Sequence, residues 1–146
     1  MKEKTNAQVA FDETIKAVYD LLKPVGFKKK ALNFYRVKNN ICQLINIQKS
    51  LYNSNESITF TINIGVDIAK TDNNFPPMTH FHIRERIGNI KGNSDCWYAF
   101  DEIQDIFTRK QKYQSERQLV LEDIEKYALP FLDKFTNQND IEHFYK

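Results

Sequence analysis

The hydrophobic positions of the N-terminal segment recur at the spacing of one helical face. They are Phe11, Ile15, Val18, Tyr19 and Leu22. Thr5 and Gln8 have the spacing of a capping box in front of this face, and Pro24 with Gly26 stands where a helix would end. The pattern therefore predicts an N-terminal helix.

The period then changes to two, which is typical of strands. "LNFYRV" and "ICQLINIQKS" predict two strands joined at "KNN", where an Asn pair can adopt the positive φ angles of a tight hairpin. A second hairpin through "YNSNES" leads to "SITFTINIGVDI", which alternates strictly. One face of this strand carries Phe60, Ile62, Ile64 and Val66, and the other carries Thr59, Thr61, Asn63 and Gly65.

A loop and a further strand are predicted next. "AKTDNNFPPMT", residues 69–79, is a predicted loop because Pro76 and Pro77 cannot donate to a strand ladder. "HFHIRERI" is a predicted strand, with His80, His82, Arg84 and Arg86 on one face and Phe81, Ile83, Glu85 and Ile87 on the other. Residues 97–100 fit either a short edge strand or the beginning of a helix.

Beyond Asp101 the pattern is helical again. One helix is predicted around Ile103, Ile106 and Phe107, and a second is predicted to begin at Ser115, with Gln118 completing a capping box, and to contain Val120, Ile124, Tyr127 and Phe131. Pro130 should kink or shorten the second helix. A last short helix would turn Ile141, Phe144 and Tyr145 inward.

These elements predict one α+β domain spanning residues 1–146. It comprises an antiparallel sheet of four to five strands, with the N-terminal helix and two to three C-terminal helices packed on one face, because a single sheet cannot bury its own apolar side. The opposite face is left for solvent or a partner.

The composition indicates in which cellular compartment the protein is expected. Its apolar runs are far shorter than the roughly 20 residues that cross a bilayer, and "MKEKTNAQVA" is too polar for a secretory signal, so we expect a cytoplasmic protein without a membrane segment. Cys42 and Cys96 lack the spacing of a zinc or redox pair and are expected to be reduced thiols. No cofactor is predicted.

The net charge of +2 is too small to indicate a nucleic-acid-binding protein, although the charge is unevenly distributed. Residues 21–55 contain seven Lys or Arg and no acid. "KKKALNFYR" combines cations and rings in a way that suits single-stranded nucleic acid, but three lysines at a turn are also typical of a solvated corner. Nucleic acid is therefore retained only as an alternative ligand.

Segments along most of the chain resemble a known family. "LLKPVGFKKK", "FYR", "INIQKS", "FTINIGV", "HIRERIG", "DCWYAF" and "LPFLD" are together similar, in order and spacing, to the bacterial family called domain of unknown function 4304. The resemblance extends over residues 11–135. It implies no activity, substrate or catalytic residue, because none is assigned to the family.

The polar face of the predicted sheet is the main functional candidate. Strand alternation places on it Asn46, Gln48, Asn63, His82, Arg84 and Arg86, and Arg36 is a further candidate. Guanidinium groups can form two-point contacts with oxyanions, while the amides supply hydrogen bonds. Trp97 and Tyr98 would provide an apolar anchor. The hypothesis is a non-catalytic domain binding an acidic protein partner or a small anion; the alternative is a solvated sheet face.

Two further residues on these strands suggest local irregularity. Gly65 on the polar face indicates either a bulge or the close approach of another group. Glu85 falls on the apolar face, where an ionised carboxylate is costly unless it is paired. Either a base from a covering helix meets Glu85, or a bulge turns it outward beside the arginines.

Catalytic patterns are weak in this sequence. His80 and His82 have a metal-ligand spacing, but a site needs a third ligand, and nothing places His143 near them, so no metal site is predicted. A phosphate-ester hydrolase using His82 with Arg84 and Arg86 is the enzymatic alternative. An immunity-like role, neutralising a toxin, is suggested by the general character of small bacterial families of this kind. The partner and the oligomeric state are not predicted.

Overall fold

The computed structural model describes residues 3–69, 78–92 and 94–144 and has the predicted α+β architecture. Its six strands are β1 Lys28–Lys30, β2 Asn33–Lys38, β3 Ile41–Lys49, β4 Ser57–Ile68, β5 Ile83–Arg86 and β6 Tyr98–Asp101. Its α-helices are α1 Asn6–Leu22, α2 Ile87–Lys91, α3 Ile106–Asp123, α4 Leu129–Asp133 and α5 Gln138–His143.

All strand pairs in the sheet are antiparallel. The order β1-β2-β3-β4 follows the chain, and the far edge of β4 is shared by two short strands. Residues 63–66 of β4 pair with β5, whereas residues 57–60 pair with β6. The structure thus adds β1 to the predicted strands and resolves residues 98–101 as a strand rather than a helix.

The predicted start and end of α1 are confirmed. The Thr5 hydroxyl accepts a hydrogen bond from Gln8 N at 3.1 Å, and Gln8 Oε1 accepts one from Thr5 N at 2.9 Å. A 3₁₀ turn, Lys23–Val25, follows the helix, and Gly26 reverses the chain with a φ of 98°. The turn between β2 and β3 is also as predicted, because Asn39 and Asn40 have φ angles of 53° and 64°.

The core lies between the sheet and the helices. Its buried side chains come from one face of α1, the alternating apolar residues of the strands and the second half of the 106–133 segment, and they include Phe11, Phe34, Phe60, Ile62, Ile64, Phe100, Val120, Ile124 and Leu132. A smaller cluster occupies the other side of the sheet, hereafter the outer face, and contains Tyr35, Cys42, Leu44 and Phe81. The outer face is therefore partly covered.

The segment "HFHIRERI" is not the single strand that the alternation predicted. His80 ends a 3₁₀ turn, His82 is exposed at a bend, and only Ile83–Arg86 pairs with β4. Phe81 packs in the outer cluster, on the opposite side of the sheet from Ile83. The strand begins only at Ile83 because the preceding residues form the 3₁₀ turn Met78–His80 and the bend at His82.

The two predicted helices after Asp101 form one continuous helical segment over 106–133. Its N-cap is Asp105, whose carboxylate accepts a hydrogen bond from Thr108 N at 2.8 Å. The capping box predicted at Ser115 is wrong, because Ser115 lies exposed within α3. Ile106 and Phe107, whose spacing predicted the first helix, lie in α3 but face solvent, since they are 59% and 72% exposed.

Pro130 neither ends this segment nor breaks it. A wide π-turn, Ile124–Ala128, precedes it, and Leu129 N bonds to Ile124 O across five residues. Proline has no N–H to donate to the carbonyl four residues earlier, and one extra residue in the turn accommodates that missing bond. The helix therefore continues as α4.

The C-terminal helix α5 closes the core as predicted. Ile141 is buried, and the ring centroid of Phe144 lies 5.8 Å from that of Phe131 and 5.4 Å from that of Phe135. The predictions for Tyr145 and for the loop residues 70–77 lie outside the described residues. Within the described ranges, no helix is both long and apolar enough to cross a membrane.

Candidate functional site

An open groove of about 430 Å³ lies on the outer face, beside β5. We call it the outer-face groove, and it is lined by Gln48, Asn63, Met78, Thr79, Arg84, Glu85, Arg86 and Asn89. Strands β3, β4 and β5, the 3₁₀ turn and α2 all contribute to it. Four of the residues predicted from strand alternation are among these: Gln48, Asn63, Arg84 and Arg86.

The floor of the groove carries a ladder of amide side chains across neighbouring strands. Asn63 Nδ2 donates to Asn46 Oδ1 at 3.0 Å and to Gln48 Oε1 at 2.8 Å, and Asn46 Nδ2 donates to Asn33 Oδ1 at 2.7 Å. The register places Asn33, Asn46 and Asn63 directly opposite one another. The amides hold each other in fixed orientations, so the groove has a rigid polar floor.

Arg86 stands opposite Asn63 but is already engaged. Its Nη1 donates to Asp95 Oδ2 at 2.7 Å, and its guanidinium carbon lies 5.4 Å from the centroid of the Trp97 ring. Trp97 is 38% exposed. The carboxylate largely neutralises Arg86, whose guanidinium lies beside the Trp97 ring, and Trp97 itself is not one of the residues that line the groove.

Arg84 is the available cation of the groove. Its side chain is exposed, and Nη1 donates to the Thr79 main-chain oxygen at 3.1 Å. It makes no ion pair with any carboxylate in the part of the chain that the structure describes. The main chain thus orients one amino group of the guanidinium of Arg84, a residue that lines the groove.

The placement of Glu85 differs from both predicted alternatives. It is half-buried at the sheet edge, with Oε2 accepting a hydrogen bond from Asn89 Nδ2 at 3.4 Å, and the register of β5 with β4 shows no bulge. Neither Asn89 nor Asp95 was identified from the sequence. Glu85 and Asn89 are four residues apart, but the strand-to-helix junction that joins them gives no local signal.

Gly65 marks a close approach rather than a bulge. A Cβ at this position would lie 2.9 Å from Phe81 Cδ2 and 3.1 Å from Met78 Sδ. The missing side chain lets the segment 78–81 lie flat on the outer face, which forms one wall of the groove.

Tyr98 cannot contribute the predicted anchor, because it is fully buried. Its hydroxyl donates to Asp123 Oδ2 at 2.7 Å, and Lys91 Nζ donates to the same oxygen at 2.9 Å. Burial and these contacts raise the pKa of Tyr98, and the hydrogen bond to Asp123 raises the pKa of Lys91. This polar cluster joins α2, β6 and α3 inside the core. Of the aromatic pair, only Trp97 remains accessible.

Two further predicted residues lie away from the outer-face groove. Arg36 is on the helix side, where Nε donates to Gln43 Oε1 at 3.0 Å and Nη2 pairs with Asp133 Oδ1 at 3.2 Å. The register explains this, because Arg36 pairs with Gln43 and alternates with Tyr35 of the outer cluster. His82 is exposed before β5 and is not among the groove residues.

The groove can recognise a carboxylate, but it is not strongly basic. Asp95 pairs with Arg86, and Glu85, which alternates with the two arginines along β5, also lines the groove, so the formal charges of these four side chains cancel. A free small anion gains little from such a balance, whereas an acidic side chain presented by a larger partner can add amide hydrogen bonds and contact with Trp97. In the described ranges, no group of three or more potential ligands could hold a metal ion.

Comparison with known proteins gives one match. A family model described as "Domain of unknown function (DUF4304)" matches residues 18–134. No curated protein and no solved structure matches the chain.

Proposed function

Because the chain belongs to the DUF4304 family, for which no function is described, we propose a function from the groove alone: a non-catalytic domain that binds an acidic segment of a protein partner. The observation that carries the proposal is Arg84, an exposed guanidinium with no carboxylate partner in the described residues, fixed beside a polar floor. A carboxylate of the partner would accept hydrogen bonds from the other guanidinium N–H groups of Arg84.

The neighbouring side chains support a protein partner over a free anion. Gln48, whose Oε1 accepts from Asn63, can offer its Nε2 donors in the groove that Arg84 lines, and Trp97 offers an exposed ring beside Arg86. An apolar anchor close to a directional polar contact is the usual composition of a small protein interface. In this proposal Arg86 positions Trp97 and contributes little charge to the partner.

An immunity-like role, in which the domain neutralises a toxin, and a cytoplasmic location belong to the same proposal. The cysteines are free thiols in the structure, which suits a reducing compartment. Co-expression with a toxin encoded beside it tests the role: restored growth that depends on Arg84 supports it, and unchanged toxicity contradicts it.

The binding proposal is tested with a phage-displayed library of random linear peptides. The wild type should enrich peptides rich in Asp and Glu, and Arg84→Ala should weaken their binding by about tenfold, the loss expected for one charge-assisted contact. Lys110→Ala, which removes an exposed charge from α3, is the matched control and should bind as the wild type does.

Folding and binding must be separated in this test. Within the described ranges, the one hydrogen bond of the exposed Arg84 side chain is to a main-chain oxygen, so Arg84→Ala should keep the melting temperature of the wild type. Trp97→Ala should bind the same peptides more weakly, and the peptides that this variant enriches should still be rich in Asp and Glu. Two results would exclude this groove as a site for an acidic segment. The wild type could enrich peptides that lack Asp and Glu, or the enriched peptides could bind Arg84→Ala as tightly as the wild type.

A further inference from the structure

A second groove lies on the other side of the sheet, between α1 and the ends of the first three strands. It has a volume of about 480 Å³. Three lysines from three different elements converge on it: Lys16 from α1, Lys29 from β1 and Lys49 from β3. We call it the basic groove.

The lysines of the basic groove are uncompensated. None of the three makes an ion pair with any residue in the described ranges. The one carboxylate in the lining, Asp12, is already bound by Lys4. Lys28 and Lys30 extend the positive surface along β1, and residues 21–55 contain no acid. An anion would therefore enter a site without competing carboxylates from this stretch.

Protection of the sheet edge explains only part of this arrangement. Lysines on an edge strand prevent other chains from pairing with it, and this accounts for Lys28, Lys29 and Lys30 on β1. It does not account for Lys16 on a helix, or for Lys49, which lies at the end of β3 and packs against the Phe11 ring of α1. Their convergence with Lys29 on one cavity is a separate feature.

The walls of the groove are apolar, with Phe11, Ile15, Tyr19 and Leu32 among the lining residues. Lys49 Nζ lies 4.8 Å from the centroid of the Phe11 ring, which holds its charge at the mouth. Tyr19 is half-buried and presents part of its ring. The site thus combines point charges with a surface that can hold a ring or a short apolar group.

We propose that the basic groove binds a small molecule with a phosphate chain and a ring, of the chemical class of a nucleoside diphosphate. Lysine is a flexible point charge suited to phosphate groups, and the apolar wall would carry the ring. The volume lies within the range of about 300–1,000 Å³ that small-molecule sites occupy. The basic groove is on the opposite sheet face from Arg84. A failure of this proposal would therefore leave the proposal for the outer-face groove untouched, and the reverse also holds.

The test is calorimetric titration of the full chain with adenosine diphosphate, pyrophosphate, inorganic phosphate and a mixed-sequence single-stranded DNA. Adenosine diphosphate should bind more tightly than pyrophosphate or phosphate, because its phosphates can contact the lysines while its ring contacts the apolar wall. Replacing all three lysines, Lys16→Gln, Lys29→Gln and Lys49→Gln, should weaken it by about tenfold or more.

The matched control replaces three exposed lysines outside the groove, Lys38→Gln, Lys110→Gln and Lys126→Gln, with the same change in net charge. It should weaken binding by less than about twofold, because distant exposed charges are screened. If the groove triple variant does not fold, the single variant Lys29→Gln replaces it. Lys29 is exposed on a sheet edge, so this variant should fold and should still bind the nucleotide measurably more weakly than the wild type.

Three results would overturn the proposal. They are the absence of nucleotide binding by the wild type, equal weakening by the groove and control variants, and binding of DNA that strengthens with its length and exceeds that of the nucleotide. The last result would make the basic groove part of a surface for single-stranded nucleic acid instead.

Discussion

Phe81 lies against the main chain of Gly65 on the outer face, so closely that a Cβ on Gly65 would be 2.9 Å from Phe81 Cδ2. This contact fixes the segment 78–81 to β4. The same segment carries the Thr79 main-chain oxygen that orients Arg84. A glycine in a strand therefore determines where the available cation of the outer-face groove stands.

Gly65→Ala should lower the free energy of unfolding by about 1–3 kcal/mol, the usual cost of an overpacked site. Without the Phe81 ring the loss should be much smaller, because only the flexible Met78 side chain, with Sδ at 3.1 Å, still meets the added Cβ, and alanine restricts the unfolded chain more than glycine does. Urea denaturation of Gly65→Ala, Phe81→Ala and the double variant measures both effects in one cycle. An equal loss in both backgrounds would attribute the requirement for glycine to the β4 main chain.

The beginning of α3 can be tested by two alanine substitutions. Asp105→Ala removes the N-cap that accepts from both Thr108 N and Thr108 Oγ1, so it should lower the melting temperature. Ser115→Ala should leave stability unchanged or raise it by up to about 0.5 kcal/mol, because alanine is the better helix former at an exposed interior position. Thermal melts of both variants measure these effects. A lower melting temperature for Ser115→Ala would indicate that Ser115 does cap a helix.

The hydrogen bond from Tyr98 to Asp123 should contribute to stability. Tyr98→Phe removes one of the two donors to Asp123 Oδ2 and leaves Lys91, and it should cost about 1.5–3 kcal/mol, the range for a hydrogen bond to a charged group. Tyr113→Phe is the matched control, because its hydroxyl also bonds at 2.7 Å but to the exposed Asp101 main-chain oxygen. Denaturant titrations should show the larger loss for Tyr98→Phe, and equal losses would contradict it.

Alkaline pH should reveal the burial of Cys42. Burial, with a contribution from the Asp67 carboxylate, raises the pKa of its thiol to about 12, from an ordinary value of 9.0. Between these values the unfolded chain releases the proton and the folded chain keeps it, so stability is complete below pH 9 and falls as the pH rises.

The free energy of unfolding should therefore fall between pH 8 and pH 10.5 by about 1–2 kcal/mol more in the wild type than in Cys42→Ala. Both proteins keep the same tyrosines and lysines, so their difference isolates the thiol. Denaturant titrations at the two pH values measure it, and parallel losses in the two proteins would place Cys42 in a solvated site.

Local pattern predicted the elements that depend on neighbouring residues alone. The capping box at Thr5, the Asn39–Asn40 turn and the alternation of β4 are all present. The two capping signals had the same composition, Ser or Thr followed by Gln, yet only the one at Thr5 caps a helix. A capping residue within a continuous helix looks identical in the sequence, because its use depends on whether the preceding residues are already helical.

The candidate site was predicted in its residue types but not in its electrostatics. Strand alternation correctly put Gln48, Asn63, Arg84 and Arg86 on one groove. It could not show that Asp95, from a loop nine residues after Arg86, neutralises that arginine, or that Tyr98 turns into the core while Trp97 stays outside. Such pairings are non-local and depend on how the chain returns to the sheet.

The sequence by itself determined the α+β class, the order of helices and strands, and the two faces of the central strands, because periods of 3.6 and 2 fix which side chains share a surface. Only the tertiary structure decided which of those surfaces remains open. β5 and β6 share one edge of β4, Arg36 is held on the helix side by Gln43 and Asp133, and Phe81 packs on Gly65 and covers part of the outer face. Each outcome depends on residues far apart in the chain, whose contacts no local period encodes.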